Sequence, residues 1–200
     1  MSKIIGYLLN MISYMLIAIP IITIFRIIFI IRLKKKGFKT NIYHEVGLCL
    51  FIMFLVGLAS QTFIPKLEFG NSAMAIVNGN LLGEMNLIPG KVFVDSYREC
   101  FQNGYYLYFV VNVIGNICLF VPIGFCVPLL WEKVSANKIV LIALCSSIII
   151  EVCQYPQARG TDIDDIWINI LGALIGYVIF MFLSKKTPAF MGKFKVVCSR

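Results

Sequence analysis

EVCQYPQARGTDIDDIWINILGALIG, Glu151 to Gly176, joins two apolar runs through a short polar loop. Glu151 and Gln154 stand one helical turn apart at the end of the first run. Arg159 and the aspartates Asp162, Asp164 and Asp165 fill the loop. The chain then returns to apolar sequence along one stripe, Asp165, Asn169, Gly172 and Gly176, at helical spacing. Ionisable groups at the edge of a bilayer are costly, so a cluster of them points to function.

The sequence around this stretch has the composition of an integral membrane protein: 60% of its 200 residues are hydrophobic and only 14% are charged. A spanning helix needs about 20 mostly apolar residues. Five stretches qualify: Ile4–Ile31, Val46–Ile64, Tyr105–Trp131, Ile139–Tyr155 and Ile166–Leu183. The expected fold is therefore an all-α integral membrane protein, a bundle of about five transmembrane helices.

The formal charge of +8 is explained by its distribution. Twelve basic residues, from Arg32 to Lys39, at Lys133 and Lys138, and from Lys185 to Arg200, follow the first, third and fifth spans. Only five, Lys3, Lys66, Lys91, Arg98 and Arg159, fall on the other side. Basic residues collect in cytoplasmic loops, which puts the N-terminus outside and the C-terminus in the cytoplasm. Membrane lipids, anionic ones included, are then the expected partners, and nucleic acid is not. The first span is too long for a cleaved leader and lacks a small-x-small site, so it is read as retained.

Four regions follow from these spans. Residues 1–64 hold two N-terminal spans with a basic loop, 65–104 an extracytoplasmic loop, 105–184 a three-helix core and 185–200 a basic tail. Arg26 is expected at the cytoplasmic interface, where its head can snorkel to water, and His44 as a satisfied interfacial residue. The outer loop is expected to lie along the membrane surface, with a short amphipathic helix over Val94–Phe101 carrying Arg98 and Glu99. Cys100 and Cys153 are the one pair placed near the outer face for a disulfide, and no cysteine or histidine spacing suggests zinc.

With that topology, the polar residues of the last three spans all fall in the outer half of the bilayer. Asn112 and Asn116 lie about 10 and 16 Å below the start of the third span, at 1.5 Å per residue. Glu151 and Asn169 each lie about 6 Å below the outer end of their own span. One outward-facing pocket is the simplest reading, with Asn112, Asn116, Glu151, Gln154, Arg159, Asp162, Asp165 and Asn169 as ligand-binding candidates. Amides inside a membrane also serve as interhelical glue, worth about 0.6–2 kcal/mol each, but glue does not need the carboxylate of Glu151. The aspartates have a capping reading at the start of the fifth span, and a second one in which Asp162 and Asp165 hold a divalent cation or a headgroup. Glu151 is the one candidate for general acid–base work. Gly172 and Gly176 read as close helix packing. No nucleophile elbow, HExxH motif or Walker loop is present, and no cofactor is indicated.

At these residues the chain resembles the VanZ-like family of bacterial membrane proteins, named for a teicoplanin-resistance protein. Three segments carry the likeness: Asn86-Leu-Ile-Pro89; Asn112-x-x-Gly115-Asn116 with Leu119-Phe120-x-Pro122-x-Gly124; and Glu151-x-x-Gln154, Arg159, Asp162, Asp165, Asn169, Gly172 and Gly176. They cover residues 84 to 180. Gly90 is a departure, since the family usually carries phenylalanine after the proline. The resemblance implies a multi-pass protein of the bacterial cytoplasmic membrane, linked through the founding member to glycopeptide susceptibility, and carries no established reaction with it.

Three functions fit. The first is an envelope protein that binds a lipid-linked or cell-envelope ligand in the outward-facing pocket and modulates glycopeptide (teicoplanin) susceptibility. The second is a membrane enzyme acting on a lipid or cell-wall precursor, with Glu151 as acid or base and a metal on the aspartates. The third is a ligand-free membrane scaffold.

Overall fold

A computed structural model of the chain describes residues 2–35, 41–62, 85–154 and 161–195. In chain order it contains α1 (Ser2–Lys35), α2 (Ile42–Thr62), the two-residue strand β1 (Met85–Asn86), α3 (Lys91–Tyr97) and a π-helical turn (Arg98–Gln102). Then come α4 (Leu107–Phe109), a second π-helical turn (Val110–Gly115), α5 (Asn116–Leu130), α6 (Ala136–Gln154), the strand β2 (Thr161–Asp162) and α7 (Ile163–Lys186). A short α8 (Pro188–Met191) and a 3₁₀ turn (Gly192–Phe194) close the described chain.

Five helical stretches are long and apolar enough to cross a membrane: Met11–Lys35, Ile42–Ser60, Leu107–Leu130, Ala136–Gln154 and Ile163–Lys186. The third unites α4, the π-helical turn and α5. The expected bundle of five spans is thus what forms, and the strand pairing among the described residues is one short parallel bridge, Met85 beside Thr161 and Asn86 beside Asp162.

The centre of the bundle is the seam between α5 and α7. A Cβ built on Gly172 or Gly176 would run into the backbone of Ile117 or Val121, and one on Gly124 into the backbone of Ala173. Small residues let two helices approach to backbone contact where lipid supplies no hydrophobic drive for association. The glycine stripe read as a packing face is one, and Gly124 completes it from the other side. Phe120, Ile123 and Leu130 of α5 extend this core to Ile139 and Ala143 of α6 and to Phe51 and Leu58 of α2. Outside it, α1 packs on α2, with Met11 and Met15 over Gly57. The remaining surface of α1, including Ile17 and Phe25, is exposed, as suits a face turned to acyl chains.

Arg26 has a partner that hydropathy did not announce: its Nε and Nη2 donate to Glu45 Oε2 at 3.0 and 2.5 Å, in the first turn of α2. Both side chains are largely covered, at 18% and 11% exposure, and a covered charge needs a counter-charge.

The same end of the bundle is closed by the tail. Asn41 Nδ2 donates to the Lys193 carbonyl, and His44 Nδ1 to the Phe194 carbonyl at 2.9 Å. Lys195 Nζ donates to the carbonyls of Pro128 and Trp131. These are among the last carbonyls of α5, which lack partners within the helix and favour a cation. His44 is thus satisfied by a backbone carbonyl.

Candidate functional site

The opposite end gathers the polar residues of α5, α6 and α7, about 36 Å away along the 24-residue α7. Local chemistry sets the start of α7. Asp162, extended at φ −121°, is its N-cap and accepts from the Asp164 N–H at 2.9 Å. That satisfies one of the free N–H groups of the first turn.

Asp164 has a different task. It is fully buried, and its Oδ1 accepts the Gly90 N–H at 2.7 Å and the Trp167 indole N–H at 2.8 Å. Its Oδ2 accepts the Val92 N–H at 2.9 Å. The carboxylate therefore caps α3 from another helix. Gly90 makes this possible with φ +83°, a conformation that suits glycine and strains a residue bearing a Cβ. The departure at Gly90 has a local reason: it turns two backbone N–H groups onto one carboxylate. The turn is reinforced by the Ile88 N–H on Asn86 Oδ1 at 3.3 Å. Val92 then buries itself against Val113 and Ile168. The helix is thus anchored to the bundle at its N-terminus, through Asp164 and Val92, while Phe93, Val94, Tyr97 and Phe101 remain exposed.

Asp165 points the other way around α7, and its Oδ1 accepts Asn116 Nδ2 at 2.7 Å. This bond joins the third and fifth spans. Asn116 Nδ2 also donates to the Asn112 carbonyl, and Asn112 Nδ2 to the Tyr108 carbonyl, both at 3.0 Å. The amides thus bond carbonyls four residues back, within and beside the turn where the ladder widens to π-helical spacing. Asn112 is tied to its own helix and is not interhelical glue.

Glu151 is 4% exposed, and its Oε2 accepts the Asp162 N–H at 3.1 Å. One turn further along α6, Ser147 Oγ accepts Asn169 Nδ2 at 2.9 Å. Asn169 Oδ1 has no partner, and with Ser96 Oγ it is one of two such buried side-chain atoms among the described residues. Gln154 is half-buried beyond Glu151. Arg159 lies outside the described residues.

Among the described residues no three of His, Cys, Asp and Glu converge on one point; Asp162 is engaged as an N-cap and Asp165 with an amide. Cys100 is buried as a free thiol. Sequence reasoning passed over Asp164 as a site-building residue. The signal was there in Pro89-Gly90, a turn directly ahead of a helix whose N–H groups need an acceptor.

The cavity described for the bundle is elsewhere. It is an apolar crevice of about 440 Å³ between α2, α5 and α6, with Trp131 at its end, and none of the ligand-binding candidates lines it.

Five apolar spans carrying a buried polar cluster define a multi-pass membrane protein. The chain belongs to the VanZ/LLP1 family, whose model matches residues 46–184, and so to the bacterial cytoplasmic membrane. That match runs from the second turn of α2 nearly to the end of α7 and takes in every residue of the polar cluster. No curated protein and no solved structure gives a significant match.

Proposed function

We propose that this protein binds a lipid-linked or cell-envelope ligand through Asn116, Glu151, Gln154, Asp165 and Asn169, at an end of the bundle facing outward, and thereby modulates glycopeptide susceptibility. The observation that carries this reading is the surplus of acceptors in a nearly water-free place. Among the described residues, Glu151, Asp162 and Asp165 bring carboxylates and Asn169 Oδ1 has no donor, while the donors directed at them are the Asn116 amide and the backbone N–H groups of Asp162 and Asp164. Burying such groups unpaired is unfavourable. A ligand rich in hydroxyl or amino groups, as sugar and peptide headgroups are, would supply the missing donors, and Arg159 would meet a phosphate. The outward orientation rests on the basic residues after the first, third and fifth spans.

The test is the lipid that co-purifies. Mass spectrometry of the purified protein is expected to find a lipid with such a headgroup, depleted in Glu151→Gln and in Arg159→Ala at unchanged folded yield. Teicoplanin sensitivity of cells expressing each variant should move with that depletion. Identical lipid profiles in all three proteins would refute binding. Conversion of the bound lipid by the parent but not by Glu151→Gln would make the protein an enzyme instead. Loss of folded yield together with phenotype would leave only a scaffold.

A further inference from the structure

The apolar crevice at the other end of the bundle has no part in that reading. Its floor is α5, through Ile123 and Val127, both buried. Phe51 and Leu55 of α2 form one wall, and Ile142 and Ser146 of α6 the other. Leu55 and Ile142 are exposed at 37% and 36%, so the crevice opens sideways between the walls. From Ile123 to Trp131 it extends about 12 Å along the helix axis. Its volume, about 440 Å³, is within the range of small-molecule sites, about 300–1,000 Å³. All of it lies within membrane-spanning helices except its end, where Trp131, 40% exposed, crosses the Phe51 ring edge-on at 6.3 Å. Tryptophan at that level marks the membrane–water interface.

That end is also basic. Lys133 follows Trp131 by two residues and sits at φ 55°, a conformation a non-glycine residue rarely adopts and which calls for a reason. Its carbonyl accepts Lys138 Nζ at 3.0 Å, which brings a second ammonium to the same turn. Lys195 reaches in from the tail to the Trp131 carbonyl at 2.8 Å and to that of Pro128. Its ammonium also stands 5.2 Å from the centre of the Phe180 ring, so Lys195 adds positive charge to this end from a fixed position. Glu132 is the acid in this turn, against three lysines.

We infer that the crevice between α2, α5 and α6 holds one acyl chain of an anionic phospholipid whose headgroup is bound by Lys133, Lys138 and Lys195. The occupant is set by depth and charge: hydrocarbon is what surrounds an opening between spanning helices, and three ammonium groups at its interfacial end select a phosphate lacking a compensating cation. Zwitterionic lipid fits the crevice equally but gains less at the lysines.

The chain has two tryptophans, Trp131 at the crevice and Trp167 at the other pole, so Trp167→Phe isolates the reporter. This variant, in phosphatidylcholine vesicles, would be titrated with phosphatidylglycerol or phosphatidylcholine carrying brominated chains, which quench a neighbouring indole. Brominated phosphatidylglycerol is expected to reach half-quenching at a mole fraction about fivefold lower, the weight of one lysine contact with an anionic lipid. Lys133→Gln with Lys195→Gln should erase that preference. Ser146→Leu, which fills the crevice from its wall, should weaken quenching by either lipid. Equal quenching by the two lipids, or a preference that survives the lysine changes, overturns the headgroup assignment. Unchanged quenching in Ser146→Leu overturns the seat of the chain. Lys133→Gln alone, on an exposed turn, carries the test where the double variant does not fold. The donor to Asp164 Oδ1 lost in Trp167→Phe is common to every protein compared, and neither the lysine changes nor Ser146→Leu falls on the polar cluster, so failure here and failure of the proposed function read out separately.

Discussion

Asp164→Ala is the sharpest test of how the polar end is built. The side chain is fully buried and accepts from Gly90, Val92 and Trp167 at 2.7, 2.9 and 2.8 Å. Truncation strands three donors at once. An unpaired buried donor costs about 1–3 kcal/mol, so three cost about 3 kcal/mol at the low end of that scale. Because the two backbone N–H groups belong to one turn, the loss should fall on the docking of Gly90–Tyr97 and not on the five spans. Three kcal/mol is about a hundredfold in an opening equilibrium at about 1.4 kcal/mol per decade. Hydrogen exchange in detergent micelles reads this directly: the Gly90 and Val92 amides should exchange about a hundredfold faster, while amides in the middle of α5 keep their protection. Asp164→Asn, which keeps the shape but presents its NH₂ to a donor, should fall between. Protection at Gly90 and Val92 that is unchanged in Asp164→Ala would refute the clasp, and uniform loss across all helices would show that the carboxylate holds the whole bundle.

Three further outcomes follow from other parts of the molecule. Gly124→Leu and Gly176→Leu should each destabilise by at least the 1–3 kcal/mol typical of overpacking, at roughly that scale, because the obstacle is backbone on the neighbouring helix; thermal unfolding in micelles checks this, with Gly192→Leu, where a Cβ meets nothing within 4 Å, as the neutral control. Arg26→Ala or Glu45→Ala alone should cost about 3–5 kcal/mol by leaving a covered charge unpaired, and the double variant should cost less than either, so a strictly additive cycle in the same assay would show the pair to be uncoupled. Burial holds the Lys195 ammonium below the ordinary lysine value of 10.5, with Glu132 opposing the shift. Between its depressed value and 10.5 the undocked tail keeps a proton that the docked tail has shed, so docking should strengthen with rising pH across that window and stay constant below it; Trp131 emission follows this, and Lys195→Gln should flatten it.

The spans were legible because hydropathy is a local property: about 20 apolar residues declare a crossing wherever they lie. The glycine stripe of α7 was legible for a similar reason, since its spacing fixes its face. What escaped were contacts between residues far apart in the chain. Asp164 and Gly90 are separated by 74 residues, His44 and Phe194 by 150, and no periodicity announces either. Asp162, Asp164 and Asp165 looked alike as a run of acids near a helix start. Their tasks differ because successive residues on a helix project about 100° apart, which sends Asp164 toward the Gly90 turn and Asp165 toward Asn116. The pairing of Arg26 with Glu45, 19 residues away, was equally silent in the hydropathy. In the polar cluster, Asn116 meets Asp165 and Glu151 meets Asp162; the first pairing depends on the π-helical turn at Val110–Gly115, whose widened spacing has no simple sequence signature.

The glycine-lined seam between α5 and α7 also dictates an order of assembly. Ribosomes deliver the third crossing before its permanent neighbour, with α6 in between, so Gly124 and the segment holding Asn116 must wait in the lipid for the last hydrophobic stretch to arrive. Only then can Asp164 clasp the turn at Gly90 and Lys195 cover the end of α5. Chains released short of α7 should therefore be inserted yet unlocked, and exposed to membrane proteases until the final helix slots in.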